Sequence, residues 1–169
     1  MVPDGTATSD VPLERTIGAA AVIDLRDVAP NEAIDASRLA SRAAHLGAGD
    51  IALFQTAWGR QRDITTPAFW KDAPWLARDG AQWLLERGIK AAAFDFPQDH
   101  TIRLLLDGEV RPIEEHVSHD VLLRRGVILI EYVTNTEALS QTRVELVALP
   151  LKIPESDGAP ARVIAFEPA

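Results

Sequence analysis

The sequence predicts an α/β domain, a mixed buried sheet with flanking helices, and three observations carry that prediction. Short, nearly continuous apolar runs alternate with segments whose apolar residues recur every three or four positions, as strands buried on both faces do between surface helices. A length of 169 residues suits one hydrophobic core. Apolar residues make up 47% and charged residues 25%, with glycine and proline scattered, which excludes disordered and collagen-like classes.

The elements follow in order. "GAAAVIDL" (18–25) reads as a strand buried on both faces, and "DASRLASRAAHLG" as a helix capped by Asp35, with Leu39, Ala43 and Leu46 on one stripe and Gly47 as its stop. "DIALFQTAW" (50–58) is the next strand. "LARDGAQWLLERG" (76–88) is a helix ending at Gly88, and "IKAAAFDF" (89–96) another buried strand. Ser118 caps a short helix over 119–125 that stops at Gly126 and leads into a strand over 127–131. "RVELVALPLKI" (143–153), the turn "SDGAP" and "ARVIAFE" close the chain. Repeats and linkers are absent, so residues 1–169 read as a single domain.

Charge and composition narrow the partners. A formal net charge of −8 repels nucleic acid and anionic membranes, and no run of Lys or Arg offers a local exception. The opening "MVPDGTATSDVPLERTIG" lacks an apolar stretch of signal-peptide or membrane-spanning length, so a cytoplasmic chain is expected. Cysteine is absent, which leaves His, Asp and Glu as the strong metal ligands.

The segment "SHDVLLRRGVILIEY" (118–132) sets the functional question, because it opens with His119 and closes with Glu131, groups that resist burial unless paired or coordinated. Seven helical residues rise about 10 Å and the strand that follows advances about 13 Å. If the strand folds back, the two side chains lie at one end of the unit, where imidazole and carboxylate together suit zinc or manganese. Strand alternation places Glu131 beside Val127 and Leu129, at least partly buried. Without metal the pair is expected to hydrogen-bond directly or through water. From spacing alone the commoner arrangement is that Glu131 pairs with Arg143 or Arg162 while His119 makes an ordinary hydrogen bond.

"GDIALFQTAW", "WLLERGIKAAAFDFPQD", "HDVLLRRGVILIEYVTN", "ALPLKI" and "DGAPARVIAF" occur in an order that resembles the cyclase superfamily of metal-dependent hydrolases, which includes kynurenine formamidases and isatin hydrolases. The resemblance runs from about Pro3 to the end of the chain. It implies the swivelling β/β/α cyclase fold with its N-terminal elements missing, and metal-ligand roles for His119 and Glu131. The family's earlier HxGTHxDxPxH motif, source of its other ligands and its acid/base histidine, has no counterpart among His45, His100, His116 and His119. Met1 thus reads as falling inside a longer protein.

What the resemblance implies is metal-assisted hydrolysis of a small amide or lactone, with an arylformamide of tryptophan and kynurenine catabolism leading, and zinc or manganese as cofactor. As it stands the chain is expected to be inactive and to form homo-oligomers. The competing reading is a noncatalytic assembly or regulatory subunit. Weaker candidates are Trp58, Trp70 and Asp95 as walls of a substrate pocket, against core roles for the tryptophans and a cap or turn role for Asp95, which shares the end of its strand with Asp99. His116 reads as solvated or hydrogen-bonded, and His45 as interacting with a helix end.

Overall fold

The computed structural model describes residues 5–168; Pro3, from which the resemblance runs, lies outside them. Eight strands form, in chain order β1 (Ile17–Asp24), β2 (Ala33–Ile34), β3 (Ile51–Gln55), β4 (Trp75–Leu76), β5 (Ala91–Phe94), β6 (Ile128–Ile130), β7 (Arg143–Pro150) and β8 (Ala161–Phe166). Six of them make one sheet in the order β6-β5-β3-β1-β7-β8. The neighbours from β6 to β1 pair in parallel, and β7 and β8 add antiparallel partners at the other edge. This is the mixed α/β architecture expected from the alternation of apolar runs and helical patterns.

The register sorts side chains between two faces. Ile23, Phe54 and Phe94 are consecutive cross-strand partners whose side chains enter the core beneath the helices, with the Phe54 and Phe94 rings 4.7 Å apart. Val22, Leu53, Ala93 and Ile130 are partners one step along, and belong to a second core cluster on the other face. Burial on both faces explains why the parallel strands read as unbroken apolar runs.

The helical layer contains α1 (Ala36–Arg42) and α4 (Arg78–Glu86), with the shorter α2 (Trp58–Gln61), α3 (Pro67–Lys71) and α5 (Ile102–Leu105). Asp35 caps α1 by accepting the Arg38 N–H at 2.8 Å, as its position before the helix predicts. Three expectations are corrected. Helix α1 ends at Arg42, so Leu46 reaches the core from the following turn. Residues 118–125 form a π-helical turn and a 3₁₀ turn in place of a regular α-helix, closed by Gly126 at φ +82°. Strand β6 stops at Ile130, one residue before Glu131.

Candidate functional site

The site is built where the parallel strands end. Strand β5 runs through Asp95 into Phe96-Pro97-Gln98-Asp99 at the carboxyl edge of the sheet, the place where open α/β sheets bind ligands. Gln98 and Asp99 are both buried. The Asp99 carboxylate accepts three hydrogen bonds: from Ser118 N–H at 2.7 Å, from the Ser118 hydroxyl at 2.8 Å and from His119 Nδ1 at 2.7 Å. The first of these holds the start of the π-turn against the β5 loop.

A carboxylate only accepts, so the His119 proton facing Asp99 sits on Nδ1, and in the neutral ring Nε2 is left as a lone pair. The Asp99 hydrogen bond raises the His119 pKa above its ordinary value; burial opposes it, and the nearby Glu131 charge adds to it. Glu131 accepts from Gln98 Nε2, which also donates to Ser118 Oγ at 3.2 Å.

His119 and Glu131 both line a groove of about 1140 Å³ floored by Leu53, Ile130, Leu146 and Ala148, although the unit that joins them is neither a regular helix nor a strand as far as Glu131. Two details depart from expectation. Glu131 is exposed, because β6 has already ended and Tyr132, at φ +56°, turns the chain away from strand geometry. The two side chains also do not bond to one another directly: Asp99 holds His119 and Gln98 holds Glu131, since the β5 loop lies within reach of both.

The donor set fits part of a divalent-metal centre. An imidazole nitrogen freed by an Nδ1–H···carboxylate bond is the usual presentation of a histidine ligand, and an exposed carboxylate is a hard oxygen donor. Gln98 Oε1 is a further buried oxygen, with no hydrogen-bond partner among the described residues. Catalytic zinc sites use three protein ligands, and among the described residues no three His, Asp or Glu side chains converge on one point.

A second cavity of about 520 Å³ lies between the loops after β3 and β6. Asp95 lines it with its oxygens already committed: Thr56 Oγ1 donates at 2.6 Å, Ala57 N–H at 2.9 Å and Thr136 Oγ1 at 2.5 Å. Burial pushes the Asp95 carboxyl above its ordinary pKa despite these bonds. Around it Ala57, Tyr132 and Asn135 take left-handed φ values of +54°, +56° and +62°. That concentration of uncommon backbone makes Asp95 a brace for the two loops.

Trp58 is a correction: it is fully buried in the helix-side core, with its indole N–H on Phe69 O at 2.8 Å, and it lines neither cavity. The left-handed turn at Ala57 is what sends it inward. Trp70 meets Tyr132 edge to face at 5.4 Å, and Tyr132 is the aromatic residue that lines both cavities. His116 Nδ1 contacts the Thr101 hydroxyl at 3.1 Å and His45 Nε2 contacts Val22 O at 2.9 Å, both local roles. Sequence reasoning missed Gln98, Ser118 and Tyr132 as site residues. The available signal was polar Gln98-Asp99 following an apolar strand at its carboxyl end.

Comparison with known proteins places the chain, rather than this site, in a family. The Cyclase family model, described as Putative cyclase, matches residues 1–98, and His119 and Glu131 lie past that span. The kynurenine formamidase of Salinibacter ruber is 32% identical over 167 residues, covering 95% of this chain and 68% of that protein. A solved structure described as a potential metal-dependent hydrolase with cyclase activity is 29% identical, with a TM-score of 0.75 over 100% of this chain and 74% of the other. An isatin hydrolase bound to the product analogue thioisatinate superposes with a TM-score of 0.82 at 23% identity, over 99% of this chain and 67% of the other, a likeness of fold. By family match and by identity to a relative covered over two thirds of its length, the chain belongs to the cyclase family.

Proposed function

We propose that this chain forms part of a divalent-metal-dependent hydrolase of small amide or lactone substrates, with arylformamides of the formylkynurenine type as the leading class. The observation that carries the reading is the placement of His119 and Glu131 in the lining of one groove, each held by a residue of the β5 loop. Kynurenine formamidases aligned over 95% of the chain support the substrate class. In this reading His119 and Glu131 are two of the ligands. Zinc or manganese, when bound, supplies carbonyl polarisation and an activated water. The groove's apolar floor holds the organic part of the substrate and excludes bulk water.

The remaining donors come from outside the described residues, and the family's HxGTHxDxPxH motif has the right chemistry. The chain by itself therefore turns over N-formylkynurenine no faster than buffer containing the same metal. We place the protein in the cytoplasm as a self-associating species. No described helix is long and apolar enough to cross a membrane.

The test is to express the chain preceded by a family segment bearing that motif, then to measure bound zinc or manganese and formamidase turnover. Metal binding and turnover, both lost in His119→Ala and Glu131→Ala, support the assignment. Equal metal binding with and without the two side chains overturns it. An extended chain that binds metal through them yet hydrolyses no amide or lactone supports a noncatalytic assembly subunit instead.

A further inference from the structure

Gln98 and Asp99 are consecutive, and each is bonded to a different member of the groove-wall pair. We propose that this dipeptide is a positioning device: Asp99 sets the tautomer and ring orientation of His119, and Gln98 sets the rotamer of Glu131. Both donors are thereby organised before a metal arrives. The inference rests on the reading of His119 and Glu131 as ligands and adds two residues that, through Asp99 Oδ2 and Gln98 Nε2, decide how well those ligands bind.

The argument is one of proton direction. The network runs from Glu131 through Gln98 Nε2, Ser118 Oγ and Asp99 to His119 Nδ1. Carboxylates stand at both ends of its first three links, and a carboxylate offers only lone pairs. Gln98 Nε2 has two N–H groups; one goes to Glu131 and the other to Ser118 Oγ. The Ser118 hydroxyl, having accepted from Gln98, donates its proton to Asp99. Asp99 also takes the Ser118 backbone N–H at 2.7 Å, which anchors the residue next to His119. The remaining bond, 2.7 Å from Asp99 to His119 Nδ1, can then be satisfied only by a proton on Nδ1.

Burial makes the device rigid. Gln98 is 2% exposed, Asp99 3% and Ser118 fully buried, so none of the three can exchange its partner for bulk water. Glu131, by contrast, is exposed, and without the Gln98 contact its side chain would sample many rotamers. Partners of this kind around metal-ligating histidines raise ligand basicity and hold the ring in place.

The test begins with the ¹⁵N-labelled chain at about pH 9, where imidazoles are neutral. Long-range ¹H–¹⁵N ring correlations should show His119 with its proton on Nδ1. A proton on Nε2 overturns the proposal without any variant. Asp99→Ala should move the ring toward the Nε2–H tautomer, and Asp99→Asn, which offers one oxygen to three donors, should give a mixture. An unchanged tautomer in both overturns it. Zinc titration of the same chain should show affinity falling about 10- to 100-fold in Asp99→Asn and in Gln98→Leu; wild-type affinity in both overturns it. Zinc affinity that His119→Ala and Glu131→Ala leave untouched would sink the ligand assignment, while the tautomer result would still report on Asp99.

Discussion

Asp50 and Arg143 form a two-pronged ion pair in which Arg143 Nη1 and Nη2 donate to Asp50 Oδ2 and Oδ1, each at 2.8 Å. Arg143 also donates to His45 O at 2.8 Å, tying β7 to the turn before β3. The sequence offered Arg143 as a partner for Glu131, and its commitment to Asp50 removes that pairing.

Burial raises the Asp50 carboxyl, and the Arg143 bonds with the Gly47 N–H outweigh it, so the folded pKa lies below the ordinary 3.8. A depressed acid contributes stability that is present above its unfolded pKa and lost as pH falls through the folded value. Asp50→Asn should therefore cost about 1–2 kcal/mol at pH 7, discounted for the partly exposed arginine. The difference from wild type should shrink below about pH 4. Urea unfolding at several pH values checks this; a difference that grows on acidification contradicts it.

Gly80 should reverse the usual helix rule. It lies within α4, where Ala normally stabilises by up to about 1 kcal/mol. A Cβ there would meet Ile34 O at 2.6 Å and Leu76 Cδ1 at 3.2 Å, and the first of these is backbone. Gly80→Ala should destabilise by about 1–3 kcal/mol. A raised denaturation midpoint would show that α4 can move away from β2.

Trp58 should behave as core. Trp58→Ala should lower stability by about 3–5 kcal/mol in denaturant unfolding. If the chain extended by the family's N-terminal segment turns over substrate, Trp58→Phe should leave its KM unchanged. A KM increase without loss of stability would return Trp58 to the substrate pocket.

Self-association should run through the outer face of the β7–β8 hairpin. The register puts Val147 opposite Ile164 and Leu149 one step along, and Leu149, Ile164 and Phe166 are 43%, 44% and 57% exposed. Strand β8 is also the sheet's edge. Exposed apolar side chains beside an open edge favour pairing with another chain, and Glu145 and Arg162, which share this face opposite Phe166 and Leu149, interrupt it with opposite charges. Light scattering should show mass rising with concentration, and Ile164→Thr with Phe166→Ser should suppress it. A wild-type monomer at every concentration refutes the expectation.

By itself the sequence determined the strands of the sheet, because a segment buried on both faces must be apolar throughout, and "GAAAVIDL", "DIALFQTAW" and "IKAAAFDF" are. It also pointed to His119 and Glu131 sharing one end of their unit, although the regular helix and the strand through Glu131 assumed for that did not form. The tertiary structure decided who holds them. Gln98 and Asp99 lie twenty to thirty-odd positions away from the side chains they bond, and only the parallel pairing of β5 with β6 brings them within reach. It also decided that Tyr132, and not Trp58, lines the cavities. That choice turns on left-handed backbone at Ala57 and Tyr132, a conformation that neither residue type signals and that the Asp95 brace accompanies. Local periodicity records which face of an element is buried; partners set by long-range pairing and by uncommon φ values leave no periodic trace.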